Sequence, residues 1–161
     1  MPGEPVGLVD VADVRGAADD VVSAFAAGFS DALVGAEVHH IGATALPFGR
    51  TKGDVDVNVR VGEADFRRVV DALSARLAVA QPENWTATFA SFSAGGYALP
   101  LGVQATVIGS PDDFLLALRD RLRRDPELLR RYDKAKLAAA GAGPAAYWQA
   151  KDDFFRQLRA G

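Results

Sequence analysis

Residues 54–61 read Asp-Val-Asp-Val-Asn-Val-Arg-Val, and no other stretch restricts the fold of this chain so tightly. Side chains change face at every residue of an extended strand. Val55, Val57, Val59 and Val61 therefore share one face, and Asp54, Asp56, Asn58 and Arg60 the other. The chain must build a sheet around this strand, with one dry face and one polar face.

The flanking segments supply the rest of that sheet and its helices. From Ala17 the apolar period is helical, with Val22, Phe25, Phe29 and Leu33 on one stripe and Gly35 as a natural terminator. Ala36–Ile41 is a short strand, and Gly42–Lys52 a loop. A second amphipathic helix carries Phe66, Val69, Val70, Leu73 and Leu77. Residues 85–93 and 101–108 are rich in β-formers around a turn-like Gly-Gly-Tyr-Ala-Leu-Pro. Ser110-Pro-Asp-Asp113, Asp125-Pro126 and Gly143-Pro144 then predict three helices, roughly 111–124, 126–140 and 144–159. The expected architecture is α+β: a mixed sheet packed with helices and closed by a three-helix carboxy-terminal cap, in one domain spanning residues 1–161.

Composition narrows the chemistry. There is no Cys, which excludes thiolate nucleophiles, disulfides and Cys-based metal sites. The net charge of −3 disfavours a long nucleic-acid partner, since phosphate-backbone binding wants a basic excess. The amino terminus has no basic segment leading into an apolar one, and no apolar run is long enough to span a bilayer, so a cytoplasmic protein is expected. No G-x-x-x-x-G-K-[ST] occurs, and nothing anchors a Ser-His-Asp triad.

Asp54 and Asp56 stand two apart on one strand face, close enough to share a hard cation. Mg²⁺ takes oxygen ligands and keeps several waters, so two carboxylates and substrate phosphates complete its site. A bare Asp-x-Asp is more often an edge strand turned to solvent. The loop ahead of it alters that balance. Ile41-Gly42-Ala43-Thr44 opens, and Asp54-Val55-Asp56-Val57 closes, a pattern that resembles the signature of polymerase-β-like nucleotidyltransferases. A Gly-started turn lets backbone N–H groups approach phosphates, and the acid pair holds the bridging metal.

More of the chain resembles the GrpB (UPF0157) family. His40-Ile-Gly-Ala-Thr-Ala-Leu-Pro47 is similar to its H-[hydrophobic]-G-S-T-A-V-P block, and Lys52-Gly-Asp-Val-Asp56-Val57 to its K-P-x-x-D strand. Leu118–Arg123, Tyr132–Lys136 and Tyr147–Lys151 then follow the family's F-R-D-x-L-R and paired Y-x-x-x-K patterns. The resemblance implies a nucleotidyltransferase fold that binds a nucleotide or small phosphorylated ligand through Mg²⁺ at Asp54 and Asp56. It also implies phosphate contacts from Gly42, Ala43, Thr44, Lys52, Arg119, Arg123, Lys136 and Lys151, and a place for His40 beside the loop. The ordinary alternative for the basic residues is a solvated helix face, and for Tyr132, Tyr147 and Trp148 a packing role.

Departures from the family pattern matter. Ala43 replaces a Ser, leaving Thr44 as the nearest hydroxyl, and Asp54 adds an acid. Active nucleotidyltransferases carry a third carboxylate on a late strand, but here that strand reads Gly102-Val-Gln-Ala-Thr-Val107. Gln104 cannot act as a general base. Two functions therefore remain open: a metal-dependent nucleotidyltransferase, or an inactive nucleotide-binding or protein-interaction module.

Overall fold

A computed structural model describes residues 3–160. Strand β1 (Val9–Asp10) runs into helix α1 (Val11–Gly28), which Asp10 caps by accepting from the Ala12 N–H at 2.9 Å. That cap starts the helix ahead of Ala17, where the apolar period begins. The helix ends at Gly28, and hydrogen-bonded turns continue to Gly35, which lies at φ +82°. Phe29 and Leu33 thereby stay in the core.

The strands β2 (Glu37–Ile41), β3 (Arg50–Thr51) and β4 (Val55–Val61) follow, then α2 (Glu63–Ser74), β5 (Ala78–Val79), β6 (Phe89–Ala94) and β7 (Leu101–Val107). Helices α3 (Leu115–Arg124), α4 (Pro126–Ala140) and α5 (Pro144–Ala160) close the chain. β1 pairs only with β3. The main sheet has the order β2-β4-β7-β6-β5, with β4 and β7 parallel and its other pairs antiparallel. This is the α+β arrangement with a mixed sheet and a three-helix cap. Among the described residues no helix is long and apolar enough to cross a membrane.

Three local expectations give way to specific side-chain contacts. Helix α3 begins at Leu115 and not at Pro111, because Asp113 is engaged elsewhere. Its carboxylate accepts from Arg60 Nε and Nη2 at 2.8 and 2.9 Å and from the Gly109 N–H at 2.8 Å. Strand β6 begins at Phe89, because Thr86 and Thr88 turn their hydroxyls to Asp112 at 2.8 and 2.5 Å. Asp54 lies just ahead of β4 and not within it.

The valine face of β4 is fully buried, each of its four valines at 0% exposure, against Val21 and Phe25 of α1 and Val69 and Leu73 of α2. Burying each such side chain contributes about 1.5–3 kcal/mol relative to exposure. The cap has a separate core of Leu122, Leu129, Tyr132, Phe154 and Leu158, with Leu46 inserted from the loop. The polar face of β4 lies between these two cores.

Candidate functional site

Strand alternation turns Asp56 away from the valine core and toward the cap. Its carboxylate sits between two glycines. A Cβ at Gly42 would stand 2.7 Å from Asp56 Oδ2, and one at Gly102 would stand 2.6 Å from Oδ1. Gly102 is the register partner of Asp56 on β7. Gly42 opens the short 3₁₀ turn Ala43–Ala45 at φ +76°, a conformation glycine adopts without a Cβ clash. Any side chain at either position would displace the carboxylate.

Two cavities meet at Asp56. The smaller is polar, lined by Ala43, Thr51, Lys52, Asp54, Asp56, Tyr147, Trp148 and Lys151. The larger is a cleft of about 340 Å³ between the sheet and the cap. Its walls are largely apolar, with Leu46, Phe114, Leu118 and Phe155 among them, and Gly42, Gln104, Arg119 and Lys151 also reach it. Asp56, Trp148 and Lys151 line both spaces.

Charge in the small cavity is balanced but unevenly paired. Lys52 Nζ lies 3.2 Å from Asp54 Oδ2, and the Asp54 side chain is 41% exposed. Asp56 has no ion pair among the described residues. Burial raises its pKa, and nearby Asp54 adds to the effect, while Lys151, the Gln104 amide and Lys52 oppose it. Burial also lowers the pKa of Lys151, opposed chiefly by the charge on Asp56. Tyr147 is pushed up to about 12, first by burial and then by Asp54. Trp148, 52% exposed, has Lys151 Nζ 4.9 Å and Lys52 Nζ 5.4 Å from its ring centroid.

Several expected ligand contacts lie elsewhere, each for a definite reason. Thr44 is buried and lines neither cavity. Its single hydroxyl proton goes to the Asp54 carbonyl at 3.3 Å, so the 2.8 Å contact with His40 requires His40 to donate through Nε2. That fits a neutral ring, whose pKa is lowered by burial and by Arg123, Arg119 and Arg15 against the pull of Asp19. His40 thus ties the Gly42 turn to the start of β4.

Arg123 donates twice to the Ala45 carbonyl, at 3.0 and 2.8 Å, and does not face either cavity. Arg119 reaches the cleft rim but is engaged with the His40 carbonyl at 3.0 Å and with Asp120. Lys136, 2% exposed, donates to the Arg50 carbonyl and lies 3.9 Å from Asp133. These three residues hold the loop from behind. Backbone carbonyls, which no residue pattern advertises, are their partners.

The sequence also leaves two residues of the cavities and their cradle unnoticed. Trp148 opens onto both cavities where a packing role was expected, because it precedes Lys151 by one helical turn on α5. Gly102 could have been found: a glycine inside a strand marks a close approach. Among the described residues no three His, Asp or Glu side chains form a ready-made ion cage.

Comparison with known proteins gives consistent matches. The family model GrpB protein matches residues 9–160. A UPF0157 protein of Vibrio cholerae serotype O1 is 26% identical over 126 residues, covering 78% of this chain and 67% of its own. The crystal structure of conserved protein GrpB from Enterococcus faecalis aligns with a TM-score of 0.67 at 17% identity, over 95% of this chain and 99% of its own. It shares the fold. Cid1, an RNA terminal uridylyl transferase, aligns over 80% of this chain and 40% of its own at 13% identity and a TM-score of 0.45, too low a likeness to bear on activity.

Proposed function

The chain belongs to the GrpB family, and on that premise we propose that its joined cavities bind a nucleotide or another phosphate ester, the phosphate end at Asp54, Asp56, Lys52 and Lys151. The observation that carries this reading is the Asp56 carboxylate, held between Gly42 and Gly102 where the two cavities meet and left without an ion pair. A half-buried carboxylate with no ion pair, whose charged form burial disfavours, is costly, and proteins keep such groups where a ligand completes them. The Gly42 turn ahead of Asp54-Val55-Asp56 supports phosphate chemistry on the nucleotidyltransferase pattern.

The donor set fits Mg²⁺. Asp54 and Asp56 offer hard oxygens to one small cavity, and an ion that keeps its waters needs no third protein ligand to bind. When bound, Mg²⁺ would neutralise phosphate charge and polarise the ester. Lys151 supplies a fixed positive charge from α5, and Lys52 a more exposed one from the loop. Gln104 orients the Asp56 carboxylate. No residue here is suited to take a proton from an attacking hydroxyl, so the site supports binding more directly than rapid turnover.

Calorimetric titration with nucleoside triphosphates and simpler phosphate esters, with and without Mg²⁺, tests the reading. Binding should require Mg²⁺ and should fall at least tenfold in Asp56→Asn. Lys151→Ala should cost about 1.5–3 kcal/mol, the range for a hydrogen bond to a charged group. Unchanged binding in Asp56→Asn would overturn the assignment.

A further inference from the structure

Resting on the phosphate reading above, we infer that the ligand is an amphiphile: a phosphate ester whose organic part is hydrocarbon, seated in the large cleft, and not a nucleoside. The chemistry of the lining carries this. Leu46, Phe114, Leu118, Leu122 and Phe155 present carbon surface to a space of about 340 Å³, within the range of small-ligand sites.

The charged residues at the rim are already partnered within the protein. Arg156 pairs with Asp152 at 2.5 Å, the Arg159 guanidinium stacks 3.8 Å from the Phe114 centroid, and Arg119 holds Asp120 and the His40 carbonyl. Gln104, Lys151 and Tyr132 instead gather around Asp56, the Gln104 amide hydrogen-bonded to its carboxylate and Lys151 nearby without an ion pair to it. Polarity is thus concentrated at the inner end, beside Lys151, and in the already engaged residues of the rim, and the walls between them are apolar.

A nucleoside entering this space would bring ribose hydroxyls and a base edge against walls that offer them few partners. Buried polar groups without partners cost affinity steeply, so such a cleft discriminates against them. A hydrocarbon chain or ring has no such groups, and its burial is favourable in proportion to the area removed from water. The charge complement is equally direct: an ester phosphate meets Lys151 and Lys52 at one end, with its tail running between α3 and α5.

The test compares geranyl monophosphate, geraniol, adenosine monophosphate and inorganic phosphate by calorimetry, in Mg²⁺ buffer, against the full chain. Geranyl monophosphate should bind more than tenfold tighter than either adenosine monophosphate or inorganic phosphate. Leu118→Arg, which puts a charge into the cleft wall, should erase that advantage. Leu115→Gln, a milder change on the same wall, serves should Leu118→Arg fail to fold, and should reduce the same advantage. Adenosine monophosphate binding as tightly as geranyl monophosphate, with dependence on Lys151, would overturn the apolar assignment and leave the phosphate site standing. Geraniol binding as tightly as its phosphate, with no effect of Lys151→Ala, would remove the phosphate reading and the amphiphile with it.

Discussion

On one side of β4, Val55, Val57, Val59 and Val61 are sealed by α1 and α2; on the other, Asp56, Asn58 and Arg60 meet a helical cap that has its own core. The valine side is uniform along its length, and the polar side is graded. Arg60 is held by both oxygens of Asp113 and by Glu37 at 2.6 Å. Asn58 donates to the Gln104 carbonyl at 2.9 Å and to Thr106 at 3.0 Å, but its Oδ1 has no partner. Asp56, furthest along, has no ion pair. Partners thin out toward the cavities, so one strand passes from a residue that fastens the fold to one with no ion pair among the described residues.

The widest separation between the two faces should come from paired substitutions. Val57→Asp places a carboxylate among fully enclosed side chains and should cost more than about 4 kcal/mol, leaving little folded protein. Asp56→Asn should do the opposite. The folded-state pKa of Asp56 is raised, so the folded chain holds its proton to higher pH than the unfolded chain does. Stability therefore falls as pH rises through that window, and the cost persists at neutral pH. Removing the charge relieves it, and thermal melts at neutral pH should show Asp56→Asn at least as stable as wild type. A clear loss of stability in Asp56→Asn would make Asp56 a structural residue and abolish the contrast.

Lys136 sharpens the comparison through pH. It is buried on the cap side, and its pKa is lowered to about 8, first by burial and then by Lys151, against the pull of Asp133. Between about 8 and the ordinary value of 10.5 the unfolded chain binds more protons, so stability should rise with pH across that interval. The gain should approach about 3 kcal/mol and vanish in Lys136→Met. Chemical denaturation at a series of pH values measures it; a flat or falling difference would mean that Lys136 stays charged and paired.

A smaller effect should separate the cradle from its carboxylate. Gly102→Ala brings a Cβ against Asp56 Oδ1 and should cost about 1–3 kcal/mol. Combining it with Asp56→Ala removes the clash, so the two changes should be non-additive by about 1 kcal/mol. Additive losses in the double-mutant cycle would place the strain elsewhere.

The valine alternation of 54–61 is legible because period-two burial needs only the local sequence. The Gly42 turn and the acid pair were legible as a motif of residue types at a fixed spacing. The start of α3 was not, because Asp113 answers to Arg60, distant in sequence, and not to its own helix. The same holds for Arg123 and Lys136: a basic residue in a helix reads identically whether it meets a phosphate or a backbone carbonyl. Trp148 was missed because its exposure depends on how α5 lies over Lys52, which no local pattern encodes.

The smallest effect on the fold, and the sharpest on function, is expected at Gln104. This residue lies on β7 opposite Asn58, faces the cleft, and acts on the Asp56 carboxylate through its amide. Gln104→Glu keeps the shape and adds the third acid that the polar face lacks. Without a cation the new charge faces Asp56 and should cost about 1 kcal/mol by like-charge repulsion. Added Mg²⁺ should recover that loss, raising the melting temperature of the variant more than that of the wild type. A carboxylate there can also accept a proton from an attacking hydroxyl, which Gln104 cannot. General-base assistance is worth about 10²–10⁴-fold. The variant should therefore hydrolyse the best-binding ester faster than wild type, with ground-state affinity little changed. Equal Mg²⁺ stabilisation of the two proteins would mean that position 104 does not face the ion. Robust turnover by the wild type would mean that the proton acceptor lies outside β7.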